Sequence, residues 1–176
     1  MIARGGNESE VPKERHRRSF YLGFGMAYWL MKSEPAEVSI DDLAKAPGKT
    51  VPWFGVRNYL ARNFMRDHMK VGDKVFFYHS SCDEPGIAGL ATVSELAYPD
   101  ATQFDSKSKY FDAKATKENP RWFNVAVKFT KKTRLVSIQE LRSYPELAAM
   151  RILQKGNRLS ITPIEASEWD FITGKF

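Results

Sequence analysis

Four consecutive apolar side chains, Val75-Phe76-Phe77-Tyr78, stand between the turn Val71-Gly72-Asp73 and the polar pair His79-Ser80. So short a run, bounded by turn and polar residues, reads as a strand and not as a helix. Successive side chains of a strand point to opposite faces, so a strand apolar at every position must be covered on both. The chain therefore has to build a sheet with Lys74–Tyr78 near its centre and further elements packed on each side. Its 176 residues, 43% hydrophobic and 13% aromatic, suffice for one such core and argue against two domains.

The rest of the sequence supplies candidates for those elements. Ala27-Tyr28-Trp29-Leu30-Met31 reads as a buried first strand, Gly86 to Leu96 as another, and Trp122 to Val136 as a long strand or hairpin. The glycines of the 86–96 segment mark places where a backbone bends or is closely approached. Ser39-Ile40-Asp41-Asp42 opens a short helix that Pro47-Gly48 stops, and Val56 to Met69 has the spacing of an amphipathic helix with a basic flank. Ser137 to Glu140 has capping-box spacing, Pro145 to Leu153 is a further helical stretch, and Leu159 to Ile161 suggests a late strand. Thr162-Pro163-Ile164-Glu165 then reads as the opening of a last helix running to Ile172. Short strands interrupted by short helices, with neither repeats nor low-complexity blocks, predict an α+β domain around a small, strongly bent sheet or barrel.

The domain is expected over residues 26–176. Residues 1–25, with five basic and three acidic side chains, read as a flexible basic leader or an extended translation start. A positive segment before the apolar stretch Phe20–Met31 invites a signal-peptide reading, but no small-x-small cleavage pattern follows. That stretch has 12 residues against the roughly 20 that cross a bilayer, so no membrane span is expected. The single cysteine, Cys82, fits a reducing compartment, cytoplasmic or nuclear. A net charge of +6 points to a polyanionic partner met by a local groove.

Motifs for other chemistries are missing. Three histidines (16, 68 and 79) and one thiol, without CxxC or HExxH spacing, argue against a metal site, and no GxGxxG, P-loop or GxSxG is present, so no cofactor is expected. Cys82, three residues from His79, lacks triad geometry. What remains are aromatics and donors at element ends: Lys32-Ser33, Trp53 to Asn58, Tyr78-His79-Ser80 and Arg158 to Ser160. Each also has a structural explanation: Trp53 as a core plug, Arg57 and Asn58 as a solvated face and a cap, His79 as a satisfied structural histidine. Together a tryptophan, an arginine and an amide within six residues offer a π face, a fixed cation and a donor–acceptor pair, the parts that hold a nucleobase and its phosphate.

These segments carry a family resemblance. Tyr28 to Pro35, Trp53 to Asn63, Val75 to Ser80 with Pro85 to Gly89, Asn119 to Trp122 and Arg158 to Ile161 resemble the EVE domain, in order over residues 27 to 173. The resemblance implies a PUA-like fold, a small β-barrel or strongly bent mixed sheet flanked by short helices, with YTH and ASCH domains as relatives. It implies capture of a modified base of DNA or RNA in an aromatic, basic-rimmed pocket. On this reading Trp53 is the stacking wall, Tyr78 and His79 form a second wall with a hydrogen bond, and Ser33, Asn58 and Ser80 are polar partners. Lys32, Arg57, Arg62 and Arg158 contact phosphates or base edges, and the protein is expected to act as a monomer. Two alternatives stay open: a small amidohydrolase on acylated nucleosides, with Lys32 and Glu34 supplying base chemistry, and a protein-interaction module.

Overall fold

The computed structural model describes residues 25–176. The expected leader, residues 1–25, lies outside them except for Gly25. Six strands, β1 (Tyr28–Ser33), β2 (Thr50–Pro52), β3 (Lys74–His79), β4 (Gly86–Pro99), β5 (Phe123–Ser137) and β6 (Ile161–Ile164), form one sheet in the order β2-β5-β4-β3-β1-β6. β1 and β3 are parallel and every other pair is antiparallel. The fold is therefore α+β with a mixed sheet. Of the two expected forms, the open bent sheet is realised, since β2 and β6 remain its two edges.

β3 lies inside the sheet with both faces covered. Val75 and Phe77 enter one apolar cluster with Trp29, Met31, Trp53 and Met65, whereas Phe76 and Tyr78 enter the other with Leu30, Ile87, Leu141 and Leu147. The two-residue period of the strand thus splits one apolar run between two cores. The crossover from β1 to β3 carries α1 (Ile40–Lys45), the edge strand β2 and α2 (Tyr59–Asn63); the two helices cover the first face. α3 (Ile138–Arg142), two short 3-10 turns at 145–147 and 151–153, and α4 (Ala166–Lys175) cover the second.

Local chemistry explains most boundaries. Ser39 caps α1 in a reciprocal capping box with Asp42, and Ser137 accepts from the Glu140 amide at the start of α3. Buried Asp73 accepts from the Trp29 indole and the amides of Ala27 and Lys70, tying the start of β1 to the turn before β3. Gly89 admits the neighbouring strand: a Cβ there would stand 2.6 Å from the Lys131 carbonyl oxygen of β5.

Two sequence expectations are corrected. No continuous helix runs from Val56 to Met69. Val56 and Arg57 lie outside it, Asn58 caps α2, and Phe64–His68 form a wider turn closed by the Met69 amide on the Phe64 carbonyl. Within α2 and the wider turn the buried side chains are Ala61, Phe64 and Met65, with Val56 and Met69 buried at either end, while Leu60, expected on the apolar face, is 46% exposed. The Thr162-Pro163-Ile164 segment is strand β6, paired with Leu30, Trp29 and Tyr28, and not a helix start. Pro163 is tolerated because β6 is an edge, where its missing N–H breaks no ladder. The helix begins later, with the capping pair Glu165 and Glu168.

No helix among the described residues is long and apolar enough to cross a membrane.

Candidate functional site

The parallel pairing of β1 and β3 brings two C-terminal strand ends side by side, with Lys32 opposite Tyr78 and Ser33 opposite His79. The Lys32 amide donates to the Ser160 carbonyl at 2.8 Å and the Ser80 amide to the Ser33 carbonyl at 2.9 Å. Topology alone therefore gathers Lys32, Ser33, Ser80 and Ser160 at one end of the sheet. A cavity of about 460 Å³ opens there, within the range of small-ligand sites. Its other walls come from β2 and the chain after it (Trp53, Phe54, Gly55, Arg57), the turn after β1 (Glu34, Glu37), Tyr110 and Arg158.

Trp53 is 7% exposed and meets Phe77 edge to face at 5.3 Å, so it is anchored in the first core while still lining the cavity. Phe54 is exposed at the same wall, edge-on to Tyr110 at 6.0 Å. The backbone bends between them and Arg57 at Gly55, whose φ of +81° suits glycine. The Tyr110 ring lies over that glycine, 2.6 Å from where a Cβ would stand. Its hydroxyl donates to Glu37 at 2.9 Å, and Lys109 also bonds Glu37. Burial and the nearby Glu34 charge raise the Tyr110 pKa, keeping that donor proton in place.

The loop bearing Tyr110 is organised from within. Gln103 is fully buried; its amide donates to the carbonyls of Asp100 and Trp122 and its oxygen accepts from the amides of Arg121 and Trp122. Asp100, 1% exposed, accepts from the Gly55 amide, Arg57 and Thr102. Burial by itself would raise the Asp100 carboxyl, but the hydrogen bonds from Thr102, Arg57 and Gly55 outweigh it and leave the pKa below the usual carboxylate range.

The residues singled out from sequence fall into two groups. Lys32, Ser33, Trp53, Arg57, Ser80 and Arg158 share the cavity. Within that group Arg57 is a strut: its guanidinium is held by Asp100 at 2.8 Å, by Thr102 at 2.9 Å and by the Tyr110 carbonyl, leaving little to offer a phosphate. Ser33 Oγ donates to the Val38 carbonyl at 2.6 Å. Lys32 and Arg158 make no side-chain hydrogen bond or ion pair among the described residues, and burial lowers the Lys32 pKa.

Tyr78, His79, Asn58 and Arg62 do not line the cavity. Tyr78 is 2% exposed and faces the second core, on the opposite side of β3 from Trp53; burial pushes its hydroxyl up to about 12. The pairing of Tyr78 and His79 as one wall fails because adjacent strand residues point to opposite faces. His79 instead uses Nε2 to accept the Ile40 amide at 3.1 Å, capping α1 as a neutral ring, and burial lowers its pKa. Asn58 spends its oxygen on the amides of Leu60 and Ala61. Arg62 bonds Asn63 and the Arg121 carbonyl while stacking over Tyr59 at 4.8 Å.

Phe54, Tyr110, Glu37 and Ser81 join the cavity without having been assigned to it from sequence, and Glu34, named there only for the amidohydrolase alternative, lines it too. The one signal for Tyr110 is its place in a loop of about 20 residues, long enough to carry function. Among the described residues no group of three or more His, Cys, Asp or Glu side chains could hold a metal ion.

Comparison with known proteins identifies the family and the fold. The sequence profile of the EVE domain matches residues 27–175. Chicken thymocyte nuclear protein 1 is 42% identical over 163 residues, 82% of this chain, and the chain spans 66% of that protein's length. The human protein is also 42% identical, over 83% of this chain and 72% of its own. A hypothetical protein from Leishmania major superposes with a TM-score of 0.81 at 53% identity, covering 86% of this chain and 94% of that one. Human THYN1 in complex with 5-methylcytosine-containing DNA gives 0.79 at 41% identity, over 85% and 96%. A YTH domain from Zygosaccharomyces rouxii, with a TM-score of 0.51 and 14% identity over 89% and 87%, shares the fold. The chain belongs to the EVE domain family.

Proposed function

We propose that the domain is a non-catalytic nucleic-acid-binding module whose cavity captures one extruded, modified base, with 5-methylcytosine in DNA as the first candidate. The observation that carries this reading is a cavity walled by Trp53, Phe54 and Tyr110 in which two cations, Lys32 and Arg158, have no ion-pair partner among the described residues. Such a cavity suits an aromatic ring that arrives with a negative backbone. Support comes from the human relative bound to 5-methylcytosine-containing DNA.

The energetics favour altered bases over ordinary paired ones. Extruding a base costs a few kcal/mol, and stacking on one aromatic side chain returns about 1–3 kcal/mol. Burying a methyl group adds about 0.8 kcal/mol, roughly fourfold in affinity. With so narrow a balance, a methyl in a fitted cavity decides which base stays out of the duplex. Arg158 replaces Arg57 and Arg62 as the phosphate contact, since the latter two are engaged within the protein.

Fluorescence anisotropy with short labelled duplexes, one carrying 5-methylcytosine and one unmodified, tests the proposal. The methylated duplex should bind more tightly, with affinity falling as salt rises. Trp53→Ala should weaken binding by about tenfold or more; exposed Arg158→Ala should reduce the salt slope while leaving the fold intact. Equal binding of both duplexes, or unchanged affinity in folded Trp53→Ala, refutes the reading.

A further inference from the structure

The cavity is polar in an asymmetric way. Lys32 brings an ammonium with three donors, no acceptor capacity and no side-chain partner among the described residues. Glu34 brings a carboxylate that can only accept. One of its oxygens receives the Ser81 hydroxyl at 3.1 Å, and the other has no hydrogen-bond donor among the described residues. The Ser33 hydroxyl is committed to Val38 and both Glu37 oxygens to Tyr110.

Both groups are held for the task. Lys32 is the penultimate residue of β1; it shares the face of its partner Tyr78 and lines the cavity because the strand ends there, its backbone held by that pairing and by its N–H donating to the Ser160 carbonyl. Glu34 opens a turn whose carbonyl accepts the amides of Glu37 and Val38. Ser81, which orients the Glu34 carboxylate, has a φ of +54°, a left-handed conformation that costs a residue with a Cβ and is retained where surrounding structure demands it.

Resting on the base-capture reading, we infer that Lys32 and Glu34 read the exposed edge of the captured base and select one that presents a ring acceptor beside an exocyclic amino group. Lys32 donates to the ring nitrogen or adjacent oxygen, and Glu34 accepts from the amine. Cytosine and adenine share this edge, whereas thymine turns an oxygen toward the carboxylate and an N–H toward the ammonium. Selection therefore concerns the hydrogen-bonding edge and is separate from the methyl group, which thymine and 5-methylcytosine have in common.

That shared methyl makes the test clean. Single-stranded oligonucleotides with 5-methylcytosine, thymine or adenine at one central position remove the cost of opening a pair. The wild-type protein should prefer 5-methylcytosine to thymine by about tenfold or more. Glu34→Gln, which offers an amide donor to the thymine oxygen, should erase or invert that preference. Lys32→Met should weaken the amino base more than thymine. The adenine arm identifies the source: whichever amino base binds more tightly is the one the cavity fits. Thymine bound as well as 5-methylcytosine and adenine, or an unchanged ratio in folded Glu34→Gln, overturns the edge assignment while leaving base capture standing. Loss of all oligonucleotide binding by the wild-type protein overturns both.

Discussion

Replacing Gly55 by alanine probes the cavity wall most directly. At a φ of +81° an alanine incurs left-handed strain of about 1–2 kcal/mol. Its Cβ would also lie 2.6 Å from Tyr110 Cζ, closer than atoms can pack, so the ring has to leave. Leaving breaks the Tyr110–Glu37 hydrogen bond, a bond to a charged group worth about 1.5–3 kcal/mol. It also ends the contact with the Arg57 guanidinium 5.4 Å from the ring centroid, worth about 0.5–1 kcal/mol at an exposed site. Because Tyr110 is partly exposed and can find water, the lower end of these values applies, and the expected total is about 2–4 kcal/mol. Urea denaturation should show a lower midpoint at constant slope. In a double-mutant cycle with Tyr110→Ala, the second alanine removes the obstacle, so Gly55→Ala should then cost only the backbone share, about 1–2 kcal/mol. A cost below about 0.5 kcal/mol for Gly55→Ala alone, or strict additivity with Tyr110→Ala, refutes the account of why the chain turns here.

Other residues give sharper contrasts. His79 has a folded pKa below the ordinary 6.5, so as pH falls below that value the unfolded chain takes a proton that the folded one refuses; stability should fall over this window, and His79→Gln should flatten the curve of urea midpoint against pH. Asp100→Asn removes the charge opposite Arg57 at 2.8 Å and should cost about 3 kcal/mol, read in the same assay. The lowered Asp100 pKa implies stability that is present above the ordinary carboxylate value of 3.8 and lost as pH drops through the folded value; the Asn variant should show a shallower acid limb. Tyr78→Phe should leave oligonucleotide affinity unchanged, because that ring faces the second core; a drop in affinity with an intact fold would put Tyr78 back at the site.

How much of this was legible beforehand follows from the range of the interactions. The buried strand at 74–78 and the caps at Ser39 and Ser137 rest on neighbours within a few residues, and the one-dimensional pattern carried them; the β4 glycines marked a close approach, but the strand that makes it, β5, lies more than 40 residues away. The same pattern misassigned Thr162-Pro163, because cap-like spacing also occurs in an edge strand, and only pairing with β1 separates the two. It read Val56–Met69 as one helix because 3.6-residue periodicity does not register a left-handed glycine or a guanidinium anchored 43 residues away on Asp100.

From the sequence alone came the class of the fold, the family and part of the lining of the candidate cavity: Lys32, Ser33, Trp53, Ser80 and Arg158. Tertiary structure decided which side chains meet. Tyr78 and Trp53 lie on opposite faces of β3, Arg57 is consumed by Asp100, and Tyr110 enters from a loop that no local pattern connects to the cavity. The physical reason is that a side chain's direction and partners depend on strand register and loop closure, contacts between residues far apart in the chain, whereas helix caps, turns and buried runs depend on residues close to one another.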